Sequence, residues 1–259
     1  MFPALWIPRL RYISETERLD TGTVSSPGFR SQPLDDSQIC EIKEMNEPGE
    51  LLGIYWLETD FGQENEGSSI ADMAERRERW ELRPGWSTYL AACSAVWDDL
   101  RCFPVAEKTD GSGPTVSFED SWLYGRSYGG ERGHEGTDII PSLNERGVLP
   151  VVSMTDGVVE SKGWLELGGY RLGIRAPHGG YFYYAHLDSY ADLEEGDMVQ
   201  AGELLGYMGD TGYSKIEGTT GNFPVHLHMG IYVDAGNEEV SVNPYPALRY
   251  VEDERIHYK

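Results

Sequence analysis

Histidine is scarce in this chain of 259 residues, and four of its six histidines lie in three short segments whose spacing is typical of a metal site. His134 precedes Asp138 by four positions, His186 stands alone, and one residue separates His226 from His228. Imidazole nitrogens and carboxylate oxygens bind zinc, and a catalytic zinc takes three protein ligands while a fourth position stays open. Five candidate groups therefore allow three ligands and two further bases, which is typical of a hydrolytic site.

Strand geometry predicts how these segments present their side chains. Residues i and i+2 of a β-strand point to the same face, so His226 and His228 are predicted to project into one groove while the leucine between them faces the core. The same alternation places Phe182, Tyr184 and His186 on one face. If the two strands are neighbours in the sheet, His186 stands across the groove from the other two histidines.

The pattern of apolar residues changes near residue 103. Before it, helical spacing of apolar side chains predicts helices, with Ser87 as the cap of the last one; they cover residues 35–45, 48–61, 69–82 and 87–100. After residue 108, short runs typical of strands alternate with glycine turns, at residues 157–160, 170–175, 181–187, 204–208 and 225–233. We therefore predict an α+β chain in three parts: an irregular segment at 1–34, a small helical subdomain at 35–102 and an antiparallel β domain at 103–259.

Composition excludes some partners. The formal net charge of −23 argues against nucleic acid and against an anionic membrane surface, because both attract basic patches and repel acidic ones. No run approaches the ~20 apolar residues that span a bilayer. The three cysteines lack metal-binding spacing and are too few for a disulfide framework. Free thiols are therefore expected at Cys40, Cys93 and Cys102, while a disulfide between Cys40 and one of the other two stays open.

The three segments, in this order, resemble the signatures of the lysostaphin/LytM-type zinc endopeptidases, the M23 family of peptidoglycan hydrolases. Those signatures are H-x-G-x-D, a single histidine flanked by tyrosine, and H-x-H ahead of an apolar strand. Residues 155–159, 195–199 and 209–212 are similar to further family motifs, namely A-D-G-x-V, G-D-x-V and G-x-T-G. The resemblance covers about residues 103–246.

By this resemblance, one Zn²⁺ is held by His134, Asp138 and His228, while His186 and His226 form the catalytic pair. It implies a LytM-like β domain that hydrolyses amide bonds in bacterial peptidoglycan peptides, cross-links or stem peptides, by a metal-activated water. General acid–base chemistry favours His226 as the base, with His186 stabilising the tetrahedral intermediate, although the two roles can be exchanged.

Three alternatives stay open at this point. A catalytically silent relative of the same fold would serve as a binding or scaffold module in a cell-envelope or sporulation assembly. A zinc carboxypeptidase would need a cation for the terminal carboxylate of its substrate, for which Arg126 and Arg132 are candidates. A faint similarity of the segment around Glu58 to the catalytic helix of lytic transglycosylases would add a second active site.

The same resemblance gives the expected setting. The substrate places the protein outside the cell or in the cell wall, and an anchor upstream of Met1 is compatible with that location. We expect a monomer, with a protein activator as an open possibility. The helical part is expected to act as a spacer or to control access to the groove.

Overall fold

The computed structural model describes residues 17–64, 67, 69–128 and 130–259. The N-terminal half of this part is helical, as predicted. Its α-helices are α1 (Pro27–Ser31), α2 (Asp36–Ile42), α3 (Gly49–Glu58) and α4 (Trp86–Trp97), and α5 (Tyr245–Tyr250) lies near the C-terminus. Two 3₁₀ segments accompany them at Thr23–Ser25 and Ala71–Arg79. Residues 1–34 were expected to be irregular; residues 1–16 lie outside the described residues, and the described part of this segment contains α1 and one 3₁₀ turn.

Two predictions about these helices are wrong. Residues 69–82 form 3₁₀ turns rather than an α-helix; Met73 is the buried residue of Ala71–Arg79, so little apolar surface stabilises a longer helix. Ser87 does not cap α4, because the helix begins one residue earlier and Gly85 is its cap. Gly85 has φ +85°, and a Cβ there would lie 2.2 Å from the carbonyl oxygen of Asp20, so only glycine fits this close approach.

The C-terminal half is a mostly antiparallel sheet, which confirms the predicted α+β class. Its strands are β1 (Glu107–Lys108), β2 (Val116–Phe118), β3 (Gly125–Arg126), β4 (Arg132–Gly133), β5 (Thr137–Pro141), β6 (Pro150–Val152), β7 (Gly157–Leu165), β8 (Gly169–Arg175), β9 (Tyr181–Tyr190), β10 (Met198–Val199), β11 (Leu204–Met208), β12 (Leu227–Asp234), β13 (Glu239–Val242) and β14 (His257–Tyr258). Each of the five runs predicted to be strands overlaps one of these strands. The strand predicted at 225–233 begins at Leu227, so Val225 and His226 precede it.

The main sheet has the order β10-β7-β8-β9-β12-β5-β2. Strand β11 joins it by pairing with β9 and β6, and β13 pairs with β12. The short strands β3 and β4 form a hairpin, and β1 pairs in parallel with β14. The order makes β12 the neighbour of both β9 and β5, which brings the three histidine-bearing segments of the sequence together.

The helices and the sheet share one continuous hydrophobic core. Helix α4 packs against the turn between β8 and β9, where a Cβ on Gly180 would lie 2.1 Å from the carbonyl oxygen of Ala95. Trp97 of α4 makes an edge-to-face contact with Tyr250 of α5, with ring centroids 5.9 Å apart. Arg30 donates from Nε to the carbonyl oxygen of Ser241 in β13, at 2.8 Å. The helical region is therefore an integral layer on the sheet.

Neither a disulfide bond nor a membrane-spanning helix is found among the described residues. The three cysteines are free thiols, as expected; Cys93 and Cys102 are buried and Cys40 is exposed. Among the residues that the structure describes, we find no helix with the length and apolar character needed to cross a membrane.

Candidate metal centre and catalytic groove

Strand register brings the first and last histidine segments together. His228 on β12 pairs with Asp138 on β5 on one side and with Ala185 on β9 on the other. Leu227 is fully buried, as the alternation of side chains predicted, so His228 faces the groove. The pairing of β9 with β12 fulfils the condition under which His186 was expected to stand across the groove from the other two histidines.

Three donor atoms form an almost regular triangle. His134 Nε2, His228 Nδ1 and Asp138 Oδ1 lie 3.0 Å from one another along each side. Ligands at about 2.1 Å from a tetrahedral zinc are about 3.4 Å apart, so the triangle has nearly the size that one ion requires. Two imidazoles and a carboxylate are also the donor set of catalytic zinc sites. The residues present therefore fit a zinc ion.

Gly136 makes room for this arrangement. A Cβ at position 136 would lie 2.4 Å from Cε1 and 2.6 Å from Nε2 of His228. No ordinary contact between heavy atoms is that short, so any larger residue would displace the imidazole. The glycine of the H-x-G-x-D segment is therefore required by space.

Neighbouring groups hold the ligands in place. His134 Nδ1 lies 3.0 Å from the hydroxyl and 3.3 Å from the carbonyl oxygen of Ser121, so its N–H faces Ser121 and Nε2 is left to bind metal. Arg126 on β3 donates to Asp138 Oδ2, which leaves Oδ1 in the triangle. Such partners fix the orientation of metal ligands. No motif in the sequence pointed to Ser121, and Arg126 was suggested as a partner for a substrate carboxylate rather than for Asp138.

His186 reaches the groove through a bulge in β9. Strict alternation would place it with Phe182 and Tyr184, but both of these side chains are fully buried in the core, so the predicted common face is wrong. The register of β8 against β9 shifts around position 186, and His186 has φ +63°. This left-handed conformation turns the imidazole onto the groove side of the sheet, and bulges commonly redirect side chains in this way.

His186 and His226 form a pair beside the triangle, with ring centroids 4.7 Å apart. His186 Nδ1 lies 2.8 Å from the carbonyl oxygen of Thr211, and His226 Nδ1 lies 2.8 Å from that of Pro224. A carbonyl can only accept, so Nδ1 carries the proton in both rings and Nε2 is the atom available for chemistry. His226 Nε2 is 3.8 Å from Asp138 Oδ1, outside the triangle but next to it.

Burial and charge set the protonation states in this groove. Burial opposes ionisation of Asp138, but hydrogen bonds from His134 and His228 outweigh it and hold the pKa of this carboxyl well below its usual range. Burial lowers the pKa of His186 well below its ordinary value, and the nearby imidazoles of His226 and His228 lower it further. Burial also lowers the pKa of His228, partly offset by Asp138. The carboxylate is therefore ionised at neutral pH, and both of these histidines are neutral.

The groove above the site is a cavity of about 540 Å³, lined by all five predicted site residues. Tyrosines from β9 and β12 extend its wall: Tyr183 is 6.1 Å from His228 between ring centroids and 6.3 Å from Tyr232. Phe223 contacts His186 with centroids 4.6 Å apart, a contact that the sequence did not suggest. Tyr184 had been considered for the groove but is a core residue. The pocket is large enough for several residues of a peptide.

Two acidic residues form ion pairs away from the metal ligands. Glu58, considered from the sequence for a second active site, accepts hydrogen bonds from Arg79 and from Trp80 Nε1, at 2.8 and 2.7 Å, so it links α3 to the 3₁₀ segment after it. Glu135, which lines the cavity, pairs with Arg30 of α1 at 2.8 Å. Neither carboxylate is placed to act on the metal ligands.

Comparison with known proteins agrees with this site. Two family models match: the LytM N-terminal domain over residues 14–99 and peptidase family M23 over residues 132–244. The crystal structure of a LytM protein from Ruminococcus gnavus ATCC 29149 superposes with a TM-score of 0.87 and 49% identity, covering 94% of this chain and 98% of that chain. Fold and site together define a metallopeptidase-type β domain behind a helical LytM N-terminal domain.

The chain belongs to peptidase family M23, a family of zinc metallopeptidases. Among curated relatives, the L-Ala--D-Glu endopeptidase of Bacillus subtilis (strain 168) is 44% identical over 148 residues, which are 57% of this chain and 42% of the relative. Lysostaphin of Staphylococcus staphylolyticus is 29% identical over 118 residues, 45% of this chain and 22% of the relative. The chain thus spans less than half the length of these curated relatives.

Proposed function

We propose that this protein is a zinc-dependent endopeptidase that hydrolyses amide bonds in the peptides of bacterial peptidoglycan. One observation carries the proposal: the donor atoms of His134, Asp138 and His228 form a triangle with 3.0 Å sides, and His186 and His226 present Nε2 beside it without belonging to it. A structural metal site requires only its ligands and does not need two further imidazoles beside them. Hydrolysis needs groups that accept and return a proton.

We assign one zinc ion to the triangle. When bound there, it supplies Lewis acidity that polarises the scissile carbonyl and brings the pKa of water towards neutrality. Arg126 and Ser121 keep the two ligands that they contact in the orientation that this binding requires. The tyrosine wall of the cavity excludes water from the sides of the bound peptide.

The proton transfers are assigned to the two imidazoles. His186 is neutral and has its Nδ1 proton engaged by Thr211, so its Nε2 lone pair accepts the proton of the attacking water and returns it to the leaving amine. His226 is more accessible, and when it is protonated its Nε2–H donates to the developing oxyanion. These contacts favour His186 as the base and His226 as the group that stabilises the tetrahedral intermediate, which reverses the first expectation. The reason is that a buried neutral His186 cannot donate from Nε2.

The substrate class follows from the relatives and the cavity together. The name of the B. subtilis relative specifies a peptide bond, that between L-Ala and D-Glu. A peptidoglycan substrate places the protein at the cell wall. The net charge of −23 suits a peptide substrate better than a polyanion. We keep the monomer as the proposed state.

The other functions considered from the sequence are less well supported. A silent scaffold module would not need all five side chains to converge on one groove. For a carboxypeptidase, Arg126 and Arg132 were the candidates to bind the terminal carboxylate; the guanidinium of Arg126 is already engaged by Asp138, which leaves Arg132. The B. subtilis relative is named as an endopeptidase, which supports an internal amide bond as the proposed site of cleavage.

Mass spectrometry of muropeptides tests the proposal directly. Purified sacculi of known cross-link chemistry are incubated with the protein, with the protein and a chelator, and with the chelated protein after zinc is restored. We expect new peptide termini in the first and third samples. An Asp138→Asn variant, which keeps the size of the side chain but lacks the full carboxylate, is the matched control. Intact muropeptides in every sample would contradict the proposed activity.

A further inference from the structure

The groove contains two arginines whose charge is not balanced by the protein. Arg132 on β4 and Arg171 on β8 both line the cavity, and both are half-buried. Nε of Arg132 and Nη1 of Arg171 are enclosed without a hydrogen-bond partner among the described residues. An enclosed N–H of a guanidinium that lacks an acceptor costs free energy, and a bound anion would recover that cost.

The acidic groups of the same cavity do not supply the missing acceptors. Glu135 pairs with Arg30 at 2.8 Å, and Glu239 pairs with Arg175 at 2.9 Å. The third lining carboxylate, Asp138, belongs to the metal triangle and is held by Arg126. Arg175 is shared with Glu160, so Glu239 is only partly balanced. The wall still carries a small cationic excess, although the chain as a whole has a net charge of −23. This local reversal of charge favours an anionic part of the substrate.

Strand positions locate the two arginines relative to the metal site. Arg132 lies on β4, two residues before the ligand His134. Arg171 lies on β8 at the register shift, opposite the bulge of β9 that carries His186. The two arginines therefore adjoin a metal ligand and the catalytic pair.

These positions fix where a substrate anion would lie. A peptide in extended conformation advances about 3.3 Å per residue, so a group bound by arginines that adjoin a metal ligand and the His186 bulge is within about two residues of the scissile amide. Arginine binds carboxylates through paired N–H donors, which gives direction as well as strength. A carboxylate is also the anion that a peptide most commonly carries.

We propose that Arg132 and Arg171 form a subsite for a carboxylate that the substrate peptide carries within two residues of the cleaved bond. The subsite rests on the proposed function, because it specifies the substrate of the same groove. It makes the protein selective for acidic peptides over neutral ones. The carboxylate comes either from an acidic residue inside the peptide or from its free C-terminus.

Three synthetic peptides separate these sources. The first has an Ala–Glu bond and an amidated C-terminus; the second has a carboxamide in place of the glutamate carboxylate; the third has that carboxamide and a free C-terminal carboxylate. Binding is measured by calorimetry with the full-length, zinc-loaded His226→Ala variant, so that no peptide is consumed. We expect the first peptide to bind roughly tenfold more tightly than the second, the factor typical of a charge-assisted hydrogen bond.

Arginine variants test the residues themselves. Arg132→Gln and Arg171→Gln, each added to His226→Ala, should remove most of the difference between the peptides. Arg146→Gln is the matched control, because Arg146 is exposed, lies outside the cavity and pairs with Asp188 at 3.6 Å; it should leave the difference unchanged. Tighter binding of the third peptide alone would support the subsite and assign it to a chain terminus.

Equal binding of all three peptides would overturn the inference, and that comparison needs no arginine variant to fold. An undiminished difference in both arginine variants would overturn the residue assignment. Cleavage of the first peptide by the unsubstituted protein is followed in parallel. If binding discriminates between the peptides but none is cleaved, the subsite stands and the proposed peptidase activity is contradicted instead.

Discussion

At the scale of single residues, this site depends on two positions that depart from the regular geometry of a β-strand. Gly136 has no side chain because the His228 imidazole occupies the space that a Cβ would need. His186 adopts a left-handed conformation that turns its ring out of the core and into the groove. Gly136 determines whether the metal triangle can form, and His186 determines whether the catalytic pair can form.

We predict that Gly136→Ala lowers zinc affinity by at least about tenfold, because the new Cβ must displace the His228 ring by more than ordinary packing adjustments allow. Zinc bound per chain, measured by elemental analysis after dialysis against a graded chelator, gives the result. Gly125→Ala is the control, since a Cβ there meets nothing within 4 Å. Unchanged zinc affinity in Gly136→Ala would show that the close contact does not constrain the site.

A second prediction concerns pH. The pKa of His186 is lowered from its ordinary value of 6.5, so this imidazole stays neutral, and able to accept a proton, at pH values below 6.5. Activity that depends on its Nε2 should therefore be lost only as pH falls well below 6.5. The profile of kcat/KM against pH, with bound zinc measured at each point, gives the midpoint. A midpoint above 6.5 with zinc still bound would exclude His186 as the base.

At the scale of elements, the two-stranded hairpin β3–β4 has more influence than its length suggests. It pairs Arg126 opposite Arg132, so one small element supplies both the cation that holds Asp138 and one cation of the proposed carboxylate subsite. Register between β5 and β12 places Asp138 beside His228. The hairpin contacts Asp138 through Arg126. Its effect on the metal site can be tested separately from the ligands.

Arg126→Gln should weaken zinc binding by about 10- to 100-fold, because Asp138 Oδ2 loses its fixed partner and the carboxylate becomes free to rotate. Competition with a colorimetric chelator measures the affinity. Arg146→Gln again serves as the control, being an arginine outside the cavity that also pairs with an aspartate. If the two variants held zinc equally well, Arg126 would have no part in orienting the ligand.

At the scale of the whole molecule, the helical region and the sheet are built around one hydrophobic core. The change in the pattern of apolar residues predicts a β domain at 103–259. In the structure this domain contacts the helical region: Ala95 of α4 lies against the turn at Gly180, and Arg30 of α1 lies against β13 and Glu135. The last of these contacts connects the helical region to the rim of the groove.

A fragment of residues 103–259 should consequently be less stable than the full chain, with a melting temperature lower by at least about 10 °C, because apolar surface now covered by α4 becomes exposed. Calorimetry of both proteins with equal zinc content measures the difference. Equal melting temperatures would mean that the shared core contributes little to the stability of the sheet.

The sequence by itself predicted the class of fold, because helical and strand periodicities are local. The resemblance of its histidine segments to the M23 signatures predicted the set of site residues, which the structure brings together in one groove. The sequence also predicted that Leu227 faces the core. It failed at His186, whose bulge breaks the alternation on which the prediction rested. Alternation is a property of one strand, whereas a bulge is decided by pairing with its neighbours.

Only the tertiary structure decided the rest. Register between β5, β9 and β12 brings together atoms that are 90 or more residues apart in the chain. The partners Ser121 and Arg126, and the unbalanced charges of Arg132 and Arg171, depend on which carboxylates fold nearby. Distances and burial arise from packing between elements distant in sequence, so they become visible only when the chain has folded.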